Sequence, residues 1–126
     1  MKEVINTDLA PAPIGPYNQA IKAGNTLYVS GQIPLDANSG EIISGDITRE
    51  TELVMENIGH ILREAGFDYS DVVKASIFLS DMDLFGDVNA KYGTYFISNA
   101  PARETVAVRT LPKNVRVEIS VIAYKD

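Results

Sequence analysis

The stretch from Pro101 to Ser120 reads PARETVAVRTLPKNVRVEIS. Its pattern is that of two strands joined by a short turn. One arm begins at Arg103; the other carries a lone carboxylate, Glu118, among Val115, Val117, Ile119 and Val121. Along the second arm Val115, Val117, Ile119, Val121 and Ala123 share one face, and Arg116, Glu118, Ser120, Ile122 and Tyr124 share the other. In a hairpin, Val106 and Val108 match the apolar face, while Arg103, Thr105, Ala107 and Arg109 match the mixed one. If Thr110 pairs with Val115, Ala107 pairs with Glu118. Arg103 then lies further along, roughly 13 Å from Glu118 at the usual strand rise. A small ligand does not span that distance within one chain, so cooperation of the two charges calls for Arg103 of one subunit to meet Glu118 of a neighbour.

Upstream, DMDLFGDVNAKYGTYF (Asp81–Phe96) has helical spacing, with Asp83 as the expected cap and Phe85, Val88, Tyr92, Tyr95 and Phe96 facing inward. DVVKASIFLS before it is a strand apolar enough to be central. A longer helix starts at a cap supplied by Asp46 or Thr48 and runs to about Ala65, with an apolar stripe of Val54, Ile58, Ile61, Leu62 and Ala65 and a stop at Gly66. AIKAGNTLYVSGQIP is a hairpin turning at Gly24-Asn25, whose second arm is Leu27 to Ile33. KEVIN is a short strand, and APAPIGPYNQ is irregular because its prolines and Gly15 forbid regular structure. The order is strands, helix, strand, helix, strands. It predicts a two-layer α+β domain over residues 1–126, one mixed sheet with two helices on one face. The other face is left uncovered, yet has few long charged residues. Packing against another copy of the same sheet would explain it.

Composition narrows the partners. The chain has 126 residues, 45% of them hydrophobic, and a net charge of −6. That charge argues against nucleic-acid and anionic-membrane surfaces, which need a basic face. A small anion remains possible, because a distant negative field is screened within about 10 Å at 0.1 M salt. There is no apolar run of about 18 residues for a membrane helix. MKEVINTDLAP lacks the apolar region of a signal peptide, which makes the cytoplasm the expected compartment. With no cysteine and one histidine, disulfides are excluded and a zinc site is not expected. No phosphate-binding glycine loop, nucleophile elbow or triad is present, and no cofactor is expected.

Read alone, the candidate site residues leave two readings open. Arg103 serves equally as a surface arginine, and Glu118 as the partner of Arg109, Arg116 or a second subunit in an ion pair. Tyr17 in IGPY is either packing or a ligand wall on a rigid loop. Gly31 in VSGQIP permits close backbone approach, and Ser30 and Gln32 offer hydrogen bonds; a β-bulge explains the same residues. His60 falls on a charged helix face and reads as solvated.

The segments APAPIGPYNQA, VSGQIP, NSGEI, VNAKYGTYF, PARETVAV and RVEISVIA occur in this order over almost the whole chain. In them the chain resembles the Rid (YjgF) family of reactive intermediate deaminases. The resemblance implies a chorismate-mutase-like α+β fold in a homotrimer, with sheets around a central barrel and ligand clefts between subunits. It implies hydrolysis of 2-imino acids, of the 2-iminobutanoate and 2-iminopropanoate type, to 2-oxo acids and ammonia. Arg103 would hold the carboxylate in a bidentate fork, and Glu118 would activate water and return a proton to nitrogen. Tyr17, Ser30, Gly31 and Asn89 would shape the pocket, with Thr105 where the family often has cysteine. The alternative is a regulatory protein that binds a small carboxylate in the same cleft without turnover; RNA cleavage, linked to some relatives, fits the −6 chain poorly. Besides Thr105, three further positions depart from the pattern, of which the short loop bears on substrate size. Glu104 replaces a small residue, Ser120 replaces a second acid, and ISNAPAR is short.

Overall fold

The computed structural model describes all residues from 1 to 126. Six strands form one sheet: β1 (Lys2–Ile5), β2 (Ala20–Ala23), β3 (Thr26–Gln32), β4 (Val72–Leu79), β5 (Ala102–Ala107) and β6 (Val117–Tyr124). Their order across the sheet is β1-β2-β3-β6-β4-β5, antiparallel except for the β4–β5 pair. Helices α1 (Ile47–Glu64) and α2 (Phe85–Gly93) complete the α+β architecture.

The expected hairpin between the last two strands does not form. β4 lies between β5 and β6, so Glu118 pairs with Phe78 and Ala107 with Leu79. The link from β4 to β5 contains α2, and a helical crossover returns the chain parallel to the strand it left. The β5–β6 link then arches over the end of β4. Val108 N–H donates to Leu79 O at 2.8 Å and Ser80 N–H to Arg116 O at 3.0 Å, which clamps that end from both sides. Within the link a 3₁₀ turn (Pro112–Asn114) holds Lys113 and Asn114 at φ 56°, in the left-handed region.

Losing the hairpin inverts the face assignment of β5. Arg103 stands in a row with Ala75, Val121, Val29, Ala20 and Ile5 across the sheet, and these neighbours are the buried, helix-side residues. Arg103 and Thr105 therefore face the helices, whereas Glu104 and Val106 face away; Val106 is exposed instead of apolar core. Glu104 does point away from Arg103, as alternation requires. It pairs with Lys74 Nζ at 2.9 Å and accepts from Ser76 Oγ.

Local signals elsewhere hold. Asp46 caps α1, accepting from the N–H groups of Thr48 and Arg49, so Asp46 and not Thr48 is the cap. Val54, Ile58, Ile61 and Leu62 are wholly buried. Gly66 ends the helix at φ 83°, a conformation that favours a residue without Cβ. The second helix is shorter than the pattern suggests: Asp81, not Asp83, caps a 3₁₀ turn at Met82–Leu84, and α2 starts at Phe85 without a side-chain cap. Tyr95 and Phe96 lie beyond α2 but still pack on the core. The face opposite the helices carries the row Val4, Ile21, Tyr28, Ile122, Lys74 and Ala102. Val4, Tyr28, Val106 and Tyr124 on that face are each about half exposed.

Candidate active site

Two groups of the expected residues assemble at separate places. The first surrounds Glu118. The β3–β6 register shifts between Val29 and Gln32, an irregularity that spans Ser30 and Gly31. It brings the Gly31 backbone against the Glu118 side chain: a Cβ on Gly31 would stand 2.5 Å from Glu118 Oε2. Glycine is needed for this approach, not for an unusual φ. Tyr17, Gly31 and Glu118 line one cleft of about 80 Å³, together with Ile14, Lys113 and Leu35. Burial pushes the Glu118 carboxyl above its ordinary range, and no cation in the chain opposes it. Arg116, one of the two alternative partners, turns instead to Glu50, with Nη2–Oε2 at 2.6 Å and Nε–Oε1 at 3.2 Å. Neither Arg109 nor any other residue forms an ion pair with Glu118.

The loop wall of this cleft is held by a residue that sequence reasoning missed. Gln19 is almost wholly buried. Its Nε2 donates to the carbonyls of Thr7, Ala10 and Pro11, and its Oε1 accepts from Thr7 N–H at 2.7 Å. One amide thus closes the proline-rich segment whose backbone cannot pair with itself. The only sequence signal was a long amide at the end of that segment. Ser30 Oγ donates to Asn18 O at 2.6 Å, anchoring the same loop.

The second group surrounds Arg103. Its Nη1 donates to Asn89 Oδ1 at 2.6 Å, and its guanidinium carbon sits 5.6 Å from the Phe85 ring centre and 5.3 Å from that of Tyr92. Asn89, Phe85 and Tyr92 all come from α2. The buried hydroxyls of Tyr92 and Thr105 have no hydrogen-bond partner in the chain. Burial raises the Tyr92 phenol above its ordinary range, with Arg103 opposing.

The candidate residues are thus divided, Glu118, Gly31, Tyr17 and Ser30 on one side and Arg103, Asn89 and Thr105 on the other. Arg103 and Glu118 are two strands apart, offset from Ala75 to Phe78 along β4, and on opposite faces. Strand spacing and rise put their backbones about 14 Å apart. The separation expected from a hairpin survives, for a different reason. His60 is half-buried with its Nδ1 3.4 Å from Arg63 Nη2. No cluster of three or more His, Asp or Glu side chains is placed to hold a metal ion, and no helix is long and apolar enough to cross a membrane.

Comparison with known proteins places this chain among relatives. The profile of a family described as endoribonuclease L-PSP matches residues 7–125. A RutC family protein of Pyrococcus horikoshii is 53% identical over 126 residues, covering 100% of both chains. The 2-iminobutanoate/2-iminopropanoate deaminase of Mus musculus is 46% identical over 125 residues, covering 99% of this chain and 93% of the mouse protein. The crystal structure of a putative endoribonuclease from Thermotoga maritima superposes with a TM-score of 0.98 at 49% identity, covering 100% of this chain and 99% of the other.

Proposed function

The chain belongs to the endoribonuclease L-PSP family, which includes the YjgF, RutC and Rid proteins, and from that premise we propose that it hydrolyses 2-imino acids to 2-oxo acids and ammonia. The observation that carries this reading is Glu118: a carboxyl with a raised pKa and no partner in its own chain, on the wall of a small cleft. A structural carboxylate would have a cation beside it, whereas a general base near neutral pH is tuned upward in this way. The mouse relative named as an imine deaminase supports the same chemistry.

In the proposed reaction the ligand carboxylate sits in the fork of Arg103, which offers two parallel N–H donors. Water attacks the imine carbon while Glu118 removes its proton. The C=N π pair moves to nitrogen, giving a tetrahedral carbinolamine. Glu118 delivers that proton to nitrogen, completing the neutral carbinolamine; the hydroxyl proton then passes through Glu118 to the same nitrogen, and the C–N bond breaks as the C=O bond forms, releasing NH3. Imine and water are converted to oxo acid and ammonia with no redox change. Positioning and one acid–base group suffice for an electrophile that already reacts with water. Tyr17, Ser30, Gly31, Asn89 and Thr105 shape the pocket.

The working unit of this proposal is one 1–126 domain in a homotrimer, the open sheet faces turned inward around a barrel. The half-exposed apolar rows on that face favour such packing. A neighbouring copy is also the economical way to bring an Arg103 group to a Glu118 group. The family's descriptive name mentions RNA, but a net charge of −6 disfavours a nucleic-acid surface.

The test generates 2-imino acids from several amino acids with an amino-acid oxidase and traps the remainder with semicarbazide. Depletion by the wild type and not by Arg103→Ala supports deamination. An assembled but inert wild type that still binds 2-oxo acids rejects it in favour of a carboxylate-binding regulator.

A further inference from the structure

Arg103 is held in place without a carboxylate, although the chain is acidic. With 17 Asp and Glu against 11 Lys and Arg, carboxylates are plentiful, and Arg49, Lys74, Lys91 and Arg116 have each found one. Arg103 has not. Its hydrogen-bond acceptor is the neutral amide oxygen of Asn89, and the rest of its surroundings are the faces of Phe85 and Tyr92. Every one of these contacts fixes the guanidinium without neutralising it.

We propose that Asn89 is a positioning residue whose neutrality keeps the charge of Arg103 available for the carboxylate of the ligand. Guanidinium carries five N–H donors. Asn89 occupies one of them on Nη1, leaving enough for a two-point grip on a carboxylate. Asparagine and aspartate have nearly the same shape, so an aspartate at position 89 would hold the arginine as firmly. It would also place a fixed negative charge in contact with it, and an incoming anion would meet a compensated ion pair. The aromatic faces add cation–π attraction without supplying a competing anion. α2 therefore acts as a neutral splint for the edge-strand arginine. This inference rests on the carboxylate-binding half of the proposed function.

The experiment measures binding of 2-oxobutanoate by calorimetry to the intact assembly of wild type, Asn89→Asp and Asn89→Gln, with Tm and oligomeric state recorded for each. The expected result is a loss of affinity of about tenfold or more in Asn89→Asp, with Tm equal to or above wild type. Asn89→Gln, which keeps a neutral oxygen, should stay within about threefold. In steady-state imine hydrolysis the Asp variant should raise KM and leave kcat nearly unchanged. Should Asn89→Asp fail to fold, Asn89→Glu against Asn89→Gln repeats the charged-against-neutral comparison one methylene longer. Wild-type affinity in the charged variants overturns the inference, as does affinity lost only together with Tm or assembly, and neither result touches the deaminase reading. A wild type that binds the oxo acid without turning over any imine rejects deamination, while the Asn89 comparison still decides this inference. A wild type that binds no carboxylate overturns both.

Discussion

Arg103 and Glu118 stand on opposite faces of one sheet, with β4 running between their strands: Arg103 is paired with Ala75 and Glu118 with Phe78. No rotamer change brings the two charges to one small molecule inside a single chain. Subunit mixing tests whether they meet across an interface. Arg103→Ala and Glu118→Gln are each expected to be inactive. When the two are denatured together and refolded at equal ratio, about a quarter of the clefts should pair an intact Arg103 with an intact Glu118. Recovery of about that fraction of wild-type activity is the expected outcome, and no recovery places the two residues in the same chain's function or outside it.

Glu118 is held above its ordinary pKa of 4.5 by burial. Between that value and the raised one, the folded chain keeps a proton that the unfolded chain has released. Stability therefore falls as pH rises through this window. Glu118→Gln removes the penalty: its Tm should exceed that of wild type at neutral pH, and the gain should vanish once the medium is acid enough to protonate the carboxyl in both states. Thermal melts across pH read this directly. The same ionisation should appear as an acidic limb in kcat/KM.

Gly31 leaves no room for a methyl group, since a Cβ there would meet Glu118 Oε2 at 2.5 Å and Cδ at 2.9 Å. Gly31→Ala should displace the carboxyl and lower kcat by an order of magnitude or more, about 10–100-fold if general-base geometry is lost. Because the atoms a methyl group would meet are the far end of a flexible side chain, the accompanying change in Tm should be small. Activity close to wild type would show that the Glu118 side chain has another productive position.

Gln19 ties three carbonyls and one N–H of the Thr7–Pro11 segment. Gln19→Ala leaves these groups to compete for water in a buried place and should cost about 2–4 kcal/mol in denaturant unfolding. The loosened loop carries Tyr17 and Ile14, which line the cleft, so KM should rise more than kcat falls.

Arg116→Ala tests the other buried acid. Glu50 has a 2% exposed side chain and is bound bidentately by Arg116. Removing the arginine strands that carboxylate, at a cost of about 3–5 kcal/mol. Arg116→Ala with Glu50→Gln should recover much of it, as a double-mutant cycle in urea would show.

The sequence carried the local elements well. Asp46 and Gly66 bracket α1, and its apolar stripe at Val54, Ile58, Ile61 and Leu62 is buried as the period requires. The turn at Gly24-Asn25 joins β2 to β3 as read. Glu118 stands out on the open side of β6 in a strand of otherwise buried alternation. All of these are encoded within a few residues, where φ/ψ preference, capping and periodicity act.

Which strand lies beside which was not so encoded. The alternation in β5 and β6 is equally compatible with a hairpin and with strands on either side of β4, because side-chain period records two faces and not the neighbour across the ladder. The helical crossover through α2 laid β5 parallel to β4, and β4 was apolar enough to accept partners on both edges. That pairing turned Arg103 to the helix side and Val106 to the open side. It also delivered Arg103 to Asn89 and the rings of α2. Residue types and the two-face alternation within each strand were thus determined by the sequence alone; which face of the sheet Arg103 occupies, and the partner strand that separates it from Glu118, were decided by tertiary pairing, since only long-range contacts choose among registers of equal local energy.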